Sequence, residues 1–441
     1  METIEELQEF IEVMAQPTVR GRLQARGDAR AIIRRAGQLP EGAPAFAVSL
    51  DTDLSEYGFS LLRASLALRE RGEGDPAIWR EGFLKAGNAF EALVRNGSPE
   101  LSQRGFWRVM GAASYHLAGY AAMAFSLMSQ AEEEANLAPA ERVIVRLLLS
   151  DLGTLRDEAR SWLRNPEYGD DALQAALEVG DQEIDDILSI MLTTAVFRAF
   201  AFFEFALLTG DTAMHDGALS ILRRALRVAS NVGAVSHWWI IRVARNLIDD
   251  LWGNSLHHVL PQIGPAGTDG YAALREMFLA SLYARKTAEV ELWPSQIGAA
   301  RRATDLTDDL VVALPTSAGK TRVAEICTLM SLSAEKRVLL VTPLRALSAQ
   351  TERSFRKTFG PLGFSVSSLY GASGAMPGDQ DALRSHDIVI ATPEKLDFAL
   401  RSNPQLLDDI GLIVLDEGHL IGPSERELRY EILVQRLLRR A

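Results

Sequence analysis

A short apolar run that leads into Gly319-Lys320-Thr321 and then directly into a helix-forming stretch constrains this chain more than any other feature. Leu310 to Leu314 reads as a strand, Pro315-Thr316-Ser317-Ala318-Gly319-Lys320-Thr321 as a loop, and Arg322 to Ser333 as a helix. Small residues let the successive backbone N–H groups of Thr316, Ser317, Ala318 and Gly319 converge on phosphate, and the helix N-terminus adds the positive end of its dipole. Lys320 then reaches the β and γ phosphates of a nucleotide, while the Thr321 hydroxyl ligates Mg²⁺. The strict pattern wants glycine five positions before Gly319, and Leu314 stands there instead.

The sequence around this loop has the matching texture. After Trp293 the short apolar runs Leu310 to Leu314, Val338 to Val341, Val366 to Leu369, Ile388 to Ala391 and Leu412 to Leu415 alternate with helical stretches. Such alternation implies a parallel sheet covered by helices on both faces. The last run ends in Asp416-Glu417-Gly418-His419. A carboxylate at that strand end lies beside the phosphate loop, where Asp416 holds Mg²⁺ through its water shell and Glu417 orients and deprotonates the attacking water.

Four segments in this order resemble motifs I, Ia, Ib and II of the superfamily 2 DExH-box helicases, closest to the Ski2-like group. They are Pro315 to Thr321 continuing into Val323-Ala324-Glu325, Thr342-Pro343-Leu344-Arg345-Ala346-Leu347, Ala391-Thr392-Pro393-Glu394-Lys395-Leu396-Asp397, and Asp416 to His419. The resemblance spans Leu292 to Arg440 and implies a RecA-like domain that uses ATP and Mg²⁺. It places Gln296 as the glutamine that pairs with the adenine edge, since a side-chain amide both donates and accepts. It likewise assigns Thr342, Arg345, Thr392 and Lys395 to the sugar-phosphate backbone of one DNA or RNA strand, which a translocating motor grips without reading bases. His419 would couple the nucleotide site to a second motor domain. Glu431 falls where the family carries a glutamate, although Arg426-Glu427 replaces the usual Arg-Gly before it. With 22 residues after His419, motif III and a second RecA-like domain with its arginine finger do not fit, so these residues read as the N-terminal fragment of a longer helicase, nearly inactive alone.

Residues 1–288 read differently, as an all-α domain with a partner-binding or regulatory role, followed by the RecA-like domain from 289 to 441. Helical spacing runs through Tyr57 to Glu70, Pro76 to Arg95, Glu100 to Leu117, Pro139 to Leu163, Ile184 to Leu208, Gly217 to Asn231 and Trp238 to Trp252. Trp107, Met110, Gly111 and Tyr120 match part of a tetratricopeptide hairpin, leaving an irregular bundle and a tetratricopeptide-like solenoid both open. Ile187 to Leu208 has the length of a membrane span, but Arg198 and Glu204 inside it favour a buried helix of a soluble domain. His257-His258 diverge on a helix and do not suit a shared metal. Trp238-Trp239, Phe202-Phe203 and Trp293 read as packing rather than as platforms for bases.

Charge follows the same division. The net charge is −12, yet residues 291–441 carry 18 Lys and Arg against 19 Asp and Glu, so the acidity belongs to the helical region. An acidic helical array suits a protein partner better than nucleic acid. A Ski2-like core behind a large helical domain also resembles bacterial anti-phage helicases of the Hachiman type, which implies a nuclease subunit as that partner. The single cysteine, Cys327, and an N-terminus without a secretory signal point to the cytoplasm. Two function classes follow: an ATP-driven DNA or RNA helicase or translocase, or a nucleotide-controlled scaffold or sensor without unwinding activity.

Overall fold

The computed structural model describes residues 2–36, 49–96, 103–129, 137–179, 184–314, 319–369, 385–418, 422 and 424–439. It divides into two compact units, residues 1–253 with 286–289, and residues 254–285 with 290–441. The segment 254–285, which the sequence texture groups with the helical region, thus belongs to the second unit.

Unit 1 is helical. Its described helices are α1 (Ile4–Ala15), α2 (Pro17–Ala36), α3 (Leu50–Arg71), α4 (Pro76–Asn96), α5 (Arg104–Leu117), α6 (Ala121–Ser129), α7 (Pro139–Leu148), α8 (Leu152–Arg164), α9 (Asp170–Val179), α10 (Ile184–Thr209), α11 (Thr212–Asn231) and α12 (Val235–Gly253). The amphipathic start becomes α1 because Thr3 and Glu6 form a reciprocal capping box. The single helix expected over Pro139 to Leu163 is two: the chain turns at Ser150, which takes a left-handed φ of 55°, and Asp151 then caps α8.

Small residues let these helices approach closely. A Cβ added at Gly87 would lie 2.7 Å from the Tyr115 ring, and one at Gly111 would lie 3.0 Å from Phe90. The Trp162 ring stacks at 4.2 Å on Tyr168 and 4.9 Å on Phe197. Successive helices pack in order, but α12 also packs on α5, α7 and α10. In a solenoid each repeat touches only its neighbours, so these longer-range contacts make unit 1 an irregular bundle.

A polar seam joins α3 to α12. The Glu70 carboxylate accepts two bonds of 3.0 Å from the Arg242 guanidinium, another of 2.9 Å from Asn246, and lies 2.7 Å from Arg245. Burial raises the Glu70 pKa, but the arginines and Asn246 outweigh it and hold the carboxyl below the usual range.

Helix α10 is long and apolar enough to cross a membrane. Its Phe197, Phe200 and Phe203 are buried within unit 1.

Unit 2 is a parallel sheet between helical layers. Strands β1 (Arg337–Val341), β2 (Val366–Leu369), β3 (Ile388–Ala391) and β4 (Ile410–Leu415) lie in the order β2-β3-β1-β4. Alternation along the strands separates the two faces. Val338, Leu340, Ile388 and Ile390 face a core that includes α14 (Tyr271–Tyr283), α15 (Pro294–Arg302), α16 (Lys320–Ser333) and α17 (Arg345–Phe359). Here α13 (Leu256–Val259) precedes α14 and contributes Leu256 and Val259 to the same core. Leu339, Val341, Val389 and Ala391 face α18 (Pro393–Ser402) and α19 (Glu425–Leu438).

The strand expected over Leu310 to Leu314 forms no ladder in the described structure. Leu310 and Val312 pack against the core while Val311 is 89% exposed, so the side chains alternate as in a strand. The backbone hydrogen bonds that define a sheet are not made, and β4 is the outermost hydrogen-bonded strand on that side.

Candidate nucleotide-binding site

The C-terminal ends of β4, β1 and β3 set the site. Leu415 pairs with Val341, and Val341 pairs with Ala391. The next residues, Asp416, Thr342 and Thr392, therefore stand side by side at one edge of the sheet, about 4.8 Å apart per strand. Two further bonds extend this alignment: Asp416 N–H donates to the Val341 carbonyl at 2.9 Å, and Thr342 N–H to the Ala391 carbonyl at 3.0 Å.

Helix α16 begins at Lys320, with Gly319 preceding it at a left-handed φ of 78°. Two constraints select glycine there. An L-residue with a side chain is strained at that φ, and a Cβ would lie 1.9 Å from Gln296 Nε2. Gln296 is buried on α15; its Nε2 donates to the Gly319 carbonyl at 2.8 Å and its Oε1 accepts from Trp293 N–H at 2.7 Å. The glutamine therefore ties α15 to the start of α16. Pro315, Thr316, Ser317 and Ala318, together with His419, lie outside the described residues.

Asp416 lies within charge range of Lys320 without forming an ion pair with it among the described residues. Burial, and then the charge of Glu417, push the Asp416 carboxyl above the usual carboxylate range, while the positive charge of Lys320 works against both. Asp416 Oδ1 accepts from Glu417 N–H at 3.0 Å. Glu417 adopts a left-handed φ of 52°, a conformation that a non-glycine residue adopts at a cost and that recurs where function fixes the backbone. A half-buried carboxylate with its charge penalised by burial and by a second acid is a fitting ligand for a divalent cation, with the Thr321 hydroxyl in the first turn of α16 as the other donor.

The residues matched to a nucleic-acid strand divide into two kinds. Thr342 is fully buried and its hydroxyl lies 2.5 Å from that of Ser348; Thr392 is buried at the N-cap of α18. Arg345 is exposed at the start of α17, and Lys395 is half-buried on α18. The threonines thus shape the strand ends, and the cations stand on the helices that follow. Glu431 is exposed on α19.

A buried network missed by sequence reasoning backs the phosphate-loop helix. Arg322 Nη1 donates to Glu325 at 2.6 Å, Thr358 Oγ1 donates to the other Glu325 oxygen at 2.7 Å, and Arg285 Nη2 donates to Thr358 Oγ1 at 2.7 Å. The only signal in the sequence was an acid at an otherwise apolar position of α16.

Comparison with known proteins agrees with this geometry. The family profile of the DEAD/DEAH box helicases matches residues 293–440. Residues 293–440 are a DEAD/DEAH box helicase domain. This helicase domain is 36% identical over 152 residues to the ATP-dependent DNA helicase Hel308 of Pyrococcus abyssi, covering 34% of this chain and 21% of that protein. The Hel308 of Thermococcus kodakarensis is 38% identical over 157 residues, 34% of this chain and 13% of its own length. The Hachiman protein HamB of Bacillus cereus is 25% identical over 416 residues. That match takes in 94% of this chain, the helical unit as well as the helicase domain, and 35% of HamB. The chain therefore spans about a third or less of the length of these relatives.

Proposed function

We propose that this chain carries the first motor domain of an ATP- and Mg²⁺-dependent helicase or translocase that acts on a DNA or RNA strand in cytoplasmic anti-phage defence. The observation that carries the reading is the register that aligns Asp416, Thr342 and Thr392 at the C-terminal edge of a parallel sheet, where ligands of open α/β folds bind, with a helix that starts at Lys320 after a left-handed Gly319. Amides at the start of α16 and the Lys320 ammonium receive the nucleotide phosphates. Thr321 and Asp416 would hold Mg²⁺, which supplies charge neutralisation at the β and γ phosphates. Glu417 orients the attacking water and accepts its proton. Gln296, locked between Trp293 and Gly319, sets α15 beside the loop and presents the adenine-reading position. Arg345 and Lys395 grip the strand's phosphates.

The HamB match over the helical unit supports a defence role, with that unit docking a protein partner, a nuclease subunit by the Hachiman resemblance. The chain alone is expected to bind a fluorescent ATP analogue in the presence of Mg²⁺ and to hydrolyse ATP more slowly than about 1 s⁻¹. Lys320→Ala should abolish binding; Glu417→Gln should keep binding and remove the residual hydrolysis. Unchanged nucleotide affinity in Lys320→Ala would sink the assignment. In the full-length protein, a Glu417→Gln variant that retains its cellular function would favour the nucleotide-controlled scaffold.

A further inference from the structure

The structure separates the aromatic pair Phe202-Phe203, which the sequence alone assigns to packing. Phe203 is buried, but Phe202 is 37% and Phe205 46% exposed. Phe202 rests on α11 at Gly217, where an added Cβ would come within 2.9 Å of its ring. Arg198 is exposed one turn before Phe202 on α10. Arg224 stands seven residues, or about two turns, beyond Gly217 and so on the same side of α11, and Arg227 follows one turn later. Because α10 and α11 are consecutive helices joined at Gly210 and Asp211, they run antiparallel in this pair, and the arginines of both continue the line away from the rings.

These arginines stand out within an acidic unit. Among the described residues no carboxylate pairs with Arg198, Arg224 or Arg227. The neighbouring acids are otherwise used: Asp211 caps α11 by accepting from Ala213 N–H at 2.8 Å, Asp216 lies 3.1 Å from His215, and Glu204 lies 3.7 Å from Arg156 on the other side of α10. Three unpaired guanidinium groups beside two exposed rings is the chemistry of a single-strand nucleic-acid track, with cations on the phosphates and rings under the bases. An acidic protein surface would satisfy the arginines but would need aromatic or apolar groups as well to cover Phe202 and Phe205, whereas a single strand supplies phosphates and bases together.

We propose that the α10–α11 seam of the helical unit binds single-stranded nucleic acid, with Arg198, Arg224 and Arg227 on phosphates and Phe202 and Phe205 under bases. This surface is additional to the strand contacts proposed for the helicase domain. From Gly217 to Arg227 the track runs about 15 Å, the length of a few nucleotides.

The test uses the whole 441-residue chain and fluorescein-labelled oligo(dT) and oligo(rU) of about 20 nucleotides. Ultraviolet crosslinking followed by tryptic mapping should place a crosslink in the peptide bounded by Arg198 and Arg223, which contains both rings. Anisotropy titrations from low to moderate salt should show that Arg198→Gln/Arg224→Gln/Arg227→Gln weakens binding at least tenfold and lowers the slope of log affinity on log salt by about 2. Exposed positions on two well-packed helices should leave the melting temperature within a few degrees, which checks the fold. Crosslinks confined to residues 290–441, or an unchanged salt slope, would overturn the proposal. So would polyglutamate binding the chain as tightly as the oligonucleotides with the same loss in the variant. Because crosslinks are mapped by peptide, failure here leaves strand binding by the helicase domain separately readable.

Discussion

Replacing Glu325 by alanine should destabilise the helicase domain more than any surface change near its site. The carboxylate is 3% exposed and the Arg322 side chain 11%, with 2.6 Å between them. Removing one partner of a buried pair costs about 3–5 kcal/mol, because the remaining charge has lost its counter-charge in a medium that solvates it poorly. The Thr358 hydroxyl keeps the Ser354 carbonyl, 3.1 Å away, as an acceptor, so its loss of Glu325 adds little to that range. A glutamine at the same position keeps the shape and can still accept from Thr358, so its cost should stay near about 1.5–3 kcal/mol, the value of a hydrogen bond to a charged group. Against a whole-domain stability of about 5–15 kcal/mol, the alanine variant gives up a large share. Hydrogen exchange read by mass spectrometry resolves this locally: deep amides of α16 should lose at least a hundredfold in protection in Glu325→Ala, while α3 and α12 keep theirs. The double variant Arg322→Met/Glu325→Leu should recover most of the loss, since a well-packed apolar pair replaces an ion pair at little cost. Protection in Glu325→Ala within tenfold of the parent would refute the reasoning, because it would mean that the pair is solvated enough to contribute almost nothing.

Three further outcomes are expected. Gly319→Ala puts a side chain at a φ of 78°, worth about 1–2 kcal/mol of strain, and drives a methyl into Gln296. Binding of a fluorescent ATP analogue should fall more than tenfold, while circular dichroism stays unchanged. Glu70 has its folded pKa held below the ordinary value, so its stabilisation is present above the usual glutamate range and is lost as pH falls through the folded pKa. Urea midpoints should therefore drop for the parent below about pH 4, and Glu70→Gln, weaker at pH 7, should show a flatter acid limb. Tyr430 is buried with no hydrogen-bond partner for its hydroxyl among the described residues, so Tyr430→Phe should be neutral or stabilising by up to about 1 kcal/mol in chemical denaturation.

Much of the helicase domain was legible because local and global signals agree there. The runs Val366 to Leu369 and Ile388 to Ala391 are strands with the boundaries that periodicity predicts, and the helix expected from Arg322 starts two residues earlier, at Lys320, and ends at Ser333 as expected. Leu310 to Leu314 shows the limit: apolar alternation fixes which side chains turn inward, but a strand also needs a partner's backbone in register, and that is a tertiary fact. The break at Ser150 was hidden for a related reason, since a left-handed residue that is neither glycine nor asparagine carries no compositional mark. In unit 1 the sequence could not choose between a solenoid and a bundle, because the choice rests on α12 meeting α5, more than a hundred residues earlier in the chain, and α7. The Glu325 network and the unpaired arginines of α10 and α11 are likewise matters of burial and partner, which periodicity does not carry.

The register Leu415–Val341–Ala391 has a consequence for how such a domain can change over time. Its connecting segments can lengthen or shorten freely, since each only has to return the chain to the sheet. The strands have no such freedom. One residue gained or lost within β1 would slide Thr342 by about 3.3 Å along the strand and turn its side chain to the opposite face. Asp416 and Thr392 would stay put, and the row would be broken at its middle position. Insertions in this lineage are therefore expected between strands and excluded from the short β1 segment, where a single codon separates an aligned edge from a disordered one.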